Sequence, residues 1–144
     1  MPFVMSKINV ISRCASLYMS EKLGDELGGC YHPFVLLITR SPGLSQDEIS
    51  YRLCFNKSTV ARAVSYLEDN GFAKRETDAH DKRVYRVYPT DKMLKICPKV
   101  REISSEWNRS VSHDISEEDM AIFNSVLNRI AENARELVLG GDKN

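Results

Sequence analysis

The sequence predicts a mainly α-helical chain that carries one small β-hairpin. Three observations predict it. Apolar residues recur three and four positions apart through most of the chain, the period of an amphipathic helix. A serine and a glutamate three residues apart open a short helix, which is followed after a three-residue turn by a second one. Only between Phe72 and Pro89 does the pattern change to alternation with β-favouring residues.

Taken in order, the first helix is expected over about Val4 to Leu27, with Ile8, Ile11, Ala15, Tyr18 and Lys22 at helical spacing and Gly28-Gly29 as its stop. A short helix follows, with Pro33 in its first turn and Phe34, Leu36, Leu37 and Ile38 as its apolar content; Ser41-Pro42-Gly43 breaks the chain after it. Ser45-Gln46-Asp47-Glu48 has capping-box spacing, in which each of the two outer side chains satisfies an orphan backbone donor of the other. The helix it opens runs through Ile49 and Leu53 to the turn Cys54-Phe55-Asn56, where Asn56 is placed to cap the next helix. That helix, Lys57 to about Asn70, carries Val60, Val64 and Leu67 on one face and ends at Gly71. Two short helices around a three-residue turn are the signature of a helix-turn-helix. Phe72 to Pro89 reads as a hairpin with the charged tip Asp78-Ala79-His80-Asp81-Lys82, the wing of a winged helix. Two long helices complete the chain. Thr90 can cap the first, whose stripe is Met93, Cys97, Val100, Trp107 and Val111, with Pro98 as an early kink or start point. Ser116 and Asp119 open the second, whose stripe is Phe123, Leu127, Ile130, Ala134 and Leu137, and Gly140-Gly141 closes it.

Composition is that of one ordinary globular domain. The 144 residues are 42% hydrophobic and 28% charged, which excludes disorder of the whole chain. No apolar run approaches the roughly 18 residues of a membrane span, and the N-terminal stretch lacks the pattern of a secretory signal, so a cytoplasmic location is expected. Cys14, Cys30, Cys54 and Cys97 form no CxxC pair; neither a zinc ribbon nor a disulfide framework is expected, and all four thiols are expected to be buried and inert. Twenty basic residues balance twenty acidic ones, but unevenly. From Arg52 to Thr90 eight bases face five acids, whereas from Arg101 to Asn144 five bases face nine acids. No nucleophile–base pair, phosphate loop or paired carboxylate motif of an enzyme stands in the sequence.

The order of elements, with the segments PGLSQDEISYRL, NKSTVARAVSYLEDNGFAKR and DKRVYRVYPT, resembles the MarR family of bacterial and archaeal transcriptional regulators. The last segment follows that family's wing pattern of Asp-x-Arg, about six residues, then a Thr that starts the next helix. Pro89 stands where the family usually has Leu, and Met93 where Gly is common. The resemblance covers nearly the whole chain and implies a single domain over residues 1–144. A winged helix-turn-helix lobe at about 31–90 would bind DNA, and dimerisation helices at about 1–30 and 91–144 would build an intertwined homodimer. The implied function is that of a sequence-specific regulator, a repressor, on a pseudopalindromic operator, with double-stranded DNA as partner and no cofactor or metal. The rival reading is a winged-helix protein-interaction module that reads no DNA.

Residue types point the same way. A recognition helix needs short polar and basic side chains at its N-terminal end, where base edges are within reach. Lys57, Ser58, Thr59 and Arg62 occupy that end, with Arg62 the candidate to grip a guanine or, in the plainer reading, a surface ion-pair partner. Ser45 and Gln46 at the preceding helix start are candidate phosphate donors, Ser45 also a plain cap. At the wing, Arg83 is the candidate for the minor groove, oriented by Asp81, with His80 and Lys82 against neighbouring phosphates. For Arg75 two roles are open, phosphate contact or a brace between wing and recognition helix. Family members commonly respond to small aromatic ligands, for which Tyr18, Tyr31, His32, Phe34 and Trp107 are candidate lining or else core, or to peroxide through a first-helix cysteine, for which Cys14 is the candidate.

Overall fold

The computed structural model describes residues 4–28 and 30–140. The glycines Gly29 and Gly141, expected to take part in stopping the first and last helices, lie outside the described residues. The elements are α1 (Val4–Leu23), α2 (His32–Arg40), β1 (Leu44–Ser45), α3 (Gln46–Leu53), α4 (Lys57–Asp69), β2 (Ala73–Thr77), β3 (Tyr85–Pro89), α5 (Asp91–Ser112) and α6 (Glu117–Leu139). The protein is therefore mainly helical with a small antiparallel wing, and α3 and α4 form the helix-turn-helix. Residues through Trp107 form one compact unit and those from Asn108 a second.

Local chemistry sets most boundaries. Ser45 accepts from the Glu48 backbone N–H at 3.1 Å while the Glu48 carboxylate accepts from the Ser45 N–H at 3.1 Å, so the capping box is formed on both sides. Asn56 caps α4 by accepting from the Thr59 N–H at 2.8 Å. Gly71, at φ +77°, turns the chain out of α4. The first helix ends four residues before the expected point. Gly24 takes φ +56° and its N–H closes on the Ser20 carbonyl at 3.0 Å, while Leu27, which continues the apolar period, is buried in the turn beyond. α5 runs through Pro98, which therefore neither starts it nor ends it, although the ring removes the bond that Leu94's carbonyl would otherwise accept.

The hairpin is the larger part of a three-stranded sheet of order β1-β3-β2. β2 and β3 pair from Ala73↔Pro89 to Thr77↔Tyr85, and the two-residue β1 adds Leu44↔Val87 and Ser45↔Arg86. β1 was not visible in the sequence because two residues have no period. One core joins all elements of the first unit: Met19 and Leu23 of α1, Phe34, Val35 and Ile38 of α2, Ile49 of α3, Val60, Val64 and Leu67 of α4, Phe72 and Val87 of the wing base, and Met93, Cys97, Val100 and Ile103 of α5. In the second unit α6 has no buried residue at all. No helix among the described residues is long and apolar enough to cross a membrane.

The expectation of four buried thiols holds for Cys97 only; Cys14, Cys30 and Cys54 are exposed. Cys14 precedes the buried Met19 by five residues, which puts it on the far side of α1. Cys30 lies in the turn before α2. Cys54 forms the αL cap of α3 at φ +56°, a conformation that a side chain bearing Cβ adopts at a cost. Cys54→Gly should therefore stabilise the protein by about 0.5–1 kcal/mol, read as a higher denaturant midpoint at unchanged slope.

Candidate nucleic-acid interface

The outward face of α4 follows from its inward one. With Val60, Ala63, Val64 and Leu67 buried, the opposite side holds Ser58, Arg62, Ser65 and, in the last turn, Asp69, with Ala61 and Lys57 at its edge. Lys57, Ser58, Ala61 and Arg62 are exposed, and Thr59 and Ser65 half-buried. Ser58 donates its hydroxyl to the Asn56 amide oxygen at 2.8 Å, so it stands at the helix entrance with a fixed orientation. Lys57 lies 3.6 Å from Asp47 of α3, both side chains more than 70% exposed. Such a pair is worth little and yields readily to a phosphate. Ala61 and Ser65 were missed at the sequence level, although Ser58, Ala61, Arg62 and Ser65 already have the i, i+3, i+4, i+7 spacing of one helix face.

The wing tip is built on carboxylates. Asp81 holds Arg83 in a fork, Nε to Oδ1 at 3.1 Å and Nη2 to Oδ2 at 3.2 Å, and also accepts the Arg83 backbone N–H at 3.0 Å. Arg83's side chain remains 90% exposed, so the fork aims the guanidinium without covering it. Behind it, Asp78 Oδ2 accepts from the N–H groups of His80 and Asp81, both at 3.0 Å, and Asp78 Oδ1 accepts from Arg86 Nε at 2.6 Å. Arg86 in turn donates Nη1 to the Gly43 carbonyl at 2.9 Å, strapping the wing to the chain that leads into α3. The side chains of His80 and Lys82 are exposed beside this tip.

These bonds displace proton affinities. Arg86 first, then the backbone N–H groups of His80 and Asp81, hold the Asp78 carboxyl at about 2, below its ordinary 3.8. Arg83 likewise lowers Asp81. A carboxyl depressed on folding stabilises the folded state above its unfolded pKa, and this contribution is lost as pH falls through the folded one. The wing clamp is thus fully present above pH 3.8 and lost towards pH 2. Asp78→Asn should lower the thermal midpoint at neutral pH and flatten its decline across that acid window, measured by circular dichroism.

Arg75 is engaged as a brace. Its Nε and Nη2 donate to the two Glu68 oxygens of α4 at 3.2 and 3.0 Å, and its guanidinium lies 5.3 Å from the centre of the Tyr85 ring. The hydrogen bonds from Arg75 lower the Glu68 carboxyl, and Glu68 raises Arg75. Between these parts lies an open groove of about 320 Å³, bounded by Ser45, Gln46 and Asp47 at the start of α3, Lys57 and Ala61 of α4, and Arg83, Val84 and Tyr85 of the wing. Two arginines, Arg62 on the helix and Arg83 on the wing, thus stand on elements tied together by Glu68–Arg75 and by Arg86–Gly43.

The candidate effector residues separate. Tyr18 and Trp107 meet with ring centres 5.5 Å apart, and the Tyr18 hydroxyl donates to Glu106 at 3.4 Å. Tyr31 stacks on Tyr66 of α4 at 3.9 Å; burial and then the adjacent Cys30 thiol push its hydroxyl above the ordinary 10. His32 begins α2. Phe34 is core, 2% exposed and stacked on Phe55.

Known proteins resemble this chain in sequence and fold. A model described as MarR family matches residues 34–85. The HTH-type transcriptional regulator BilQ of Clostridium symbiosum (strain WAL-14163) is 30% identical over 112 residues, which cover 78% of this chain and 76% of that protein. Among solved structures, a MarR transcriptional regulator from Methanosarcina mazei Go1 superposes with a TM-score of 0.88 at 29% identity, over 94% of this chain and 98% of the other. A MarR family transcriptional regulator from Listeria monocytogenes, complexed with 26mer DNA, superposes with a TM-score of 0.89 at 21% identity over 100% and 99%.

Proposed function

The chain belongs to the MarR family of DNA-binding transcriptional regulators, and from that premise we propose that it represses transcription as a homodimer on a pseudopalindromic operator. One observation carries the reading: two exposed arginines, Arg62 and Arg83, stand on a helix and a wing braced to each other, as one probe for a major groove and one for the neighbouring minor groove. In this reading the lobe at about 31–90 binds DNA. Arg62 grips a guanine, and Lys57, Ser58 and Thr59 line the groove entrance. Ser45, Gln46, His80 and Lys82 meet phosphate, and Asp81 aims Arg83. Arg75 supports the wing through Glu68. That the Listeria monocytogenes relative was solved complexed with 26mer DNA supports this reading.

Dimerisation is proposed from α6 and the N-terminal half of α1. Both present apolar residues to solvent in the single chain, among them Val10, Ile11, Ile122, Phe123 and Ile130. A dimer sets two wings and two recognition helices one helical turn apart, and so reads a two-fold symmetric site. Release follows from an effector that binds the DNA-incompetent spacing better. The candidate effectors are a small aromatic compound near Tyr18 and Trp107 or near Tyr31 and His32, and an oxidant acting on the exposed Cys14.

Selection of binding sites from random duplexes at fixed salt tests the reading. The expected result is a symmetric consensus with half-sites about 10 base pairs apart; no enrichment would remove it. On that consensus Arg83→Ala should weaken binding by roughly tenfold, and unchanged anisotropy titrations would remove the wing from the interface.

A further inference from the structure

We infer that Ala61 reads the 5-methyl group of a thymine at one base pair of each half-site. The inference rests on the DNA-reading function proposed above and adds to it a specificity determinant that neither arginine supplies.

The starting point is the composition of one helix face. Of the residues that α4 turns away from its buried side, Ser58, Arg62 and Ser65 offer donors and acceptors, Asp69 in the last turn offers a carboxylate, and Lys57 at the edge offers a positive charge. Ala61, exposed between Lys57 and Arg62, offers only a methyl group. A methyl can neither donate nor accept a hydrogen bond, so against the floor of a major groove its one complementary feature is another apolar group. Among the four base pairs of unmodified DNA only thymine displays one, at C5.

The surroundings favour close approach at this turn. Alanine has the shortest side chain on the face, so contact at van der Waals distance requires the α4 backbone itself to come near the base edge. Ala61 borders an open groove of about 320 Å³ that Gln46, Lys57 and Arg83 also line. Those polar groups suit a sugar–phosphate strand that runs beside the base edge Ala61 meets. The depth of α4 is then limited by the smallest residue on its face rather than by the long ones, which can swing aside.

The test isolates one methyl group. The selected operator is resynthesised with each thymine of the half-site replaced in turn, in both half-sites, by deoxyuridine, which lacks only the methyl. Wild type, Ala61→Gly and Ala61→Ser are titrated against each duplex by fluorescence anisotropy. One symmetric thymine pair is expected at which the replacement weakens wild type by about tenfold, roughly the effect of two lost methyl contacts. The same replacement should change the affinity of Ala61→Gly by less than about twofold, while Ala61→Ser, which keeps Cβ, retains most of the sensitivity. Because each result is a ratio between two duplexes for one protein, weakening of the helix by glycine cancels. An alanine that served only helix stability would give the same thymine-to-uracil ratios in all three proteins, and that outcome would overturn the assignment. A wild type with no selected consensus would overturn the DNA-reading function itself, a failure distinct from a consensus whose thymines are all indifferent to Ala61.

Discussion

In the proposed homodimer, Phe123→Glu combined with Ile130→Glu is expected to separate the two copies into monomers of 16.4 kDa and to abolish operator binding at concentrations where wild type is saturated. None of the 23 residues of α6 is buried in the single chain, although the helix carries Phe123, Leu127, Ile130, Ala134 and Leu137 along one stripe. Phe123 and Ile130, 49% and 39% exposed, are a clear loss if left in water. Burying one such side chain is worth about 1.5–3 kcal/mol, and most of a helix's stability in a protein comes from packing its apolar face. The stripe is thus what a second copy would cover. Two glutamates per chain place four carboxylates in a two-fold interface, each desolvated without a partner and each costing several kcal/mol. The consequence for DNA is multiplicative. A dimer binds its second half-site at the high effective concentration set by the first, and losing that link costs on the order of 10²–10⁴ in affinity. Light scattering reads the mass and anisotropy the affinity; a variant that remains dimeric would move the interface away from α6.

Arg62→Ala is expected to weaken operator binding by about 1–3 kcal/mol per half-site, hence by about 2–6 kcal/mol for the pair if the distant sites add. Loss of length alone would not do this, since neighbouring positions on α4 carry small side chains already. The effect belongs to a planar fork that can donate to two acceptors of one guanine, and truncation leaves those acceptors facing a gap. Arg62→Lys keeps the charge and loses the fork. It should preserve the salt dependence of binding while relaxing preference at the contacted base pair, and competition with operators substituted at each position reads this directly. Equal losses on operator and on unrelated duplex would instead assign Arg62 to phosphate.

What could be read from the sequence was what is local in the chain. The capping box at Ser45 and Glu48, the Asn56 cap and the Gly71 stop each lie within four residues of the bonds they make, and they delimit the helix-turn-helix correctly. The Asp81–Arg83 fork spans two residues and was legible for the same reason. The end of α1 was misplaced because two glycine signals compete. Leu27 keeps the apolar period going past Gly24, although it is buried from a turn and not from a helix. β1 and the Arg86–Gly43 strap were not legible. Their partners lie more than 40 residues apart, and nothing near Arg86 announces a carbonyl at Gly43. The three exposed cysteines were misjudged because average thiol burial says nothing about which side of α1, or which turn, a given residue occupies.

The strap from Arg86 through Asp78 to the Arg83 fork has a consequence for how quickly DNA is engaged. A free hairpin tip samples many directions, and a duplex must wait for, or induce, the right one. Here the ordering is completed during folding, so encounter and seating can occur in one step. Association should then be limited by diffusion and electrostatic steering, the heat-capacity change should lack the large contribution of a coupled disorder-to-order transition, and differences between operators should be expressed in residence time.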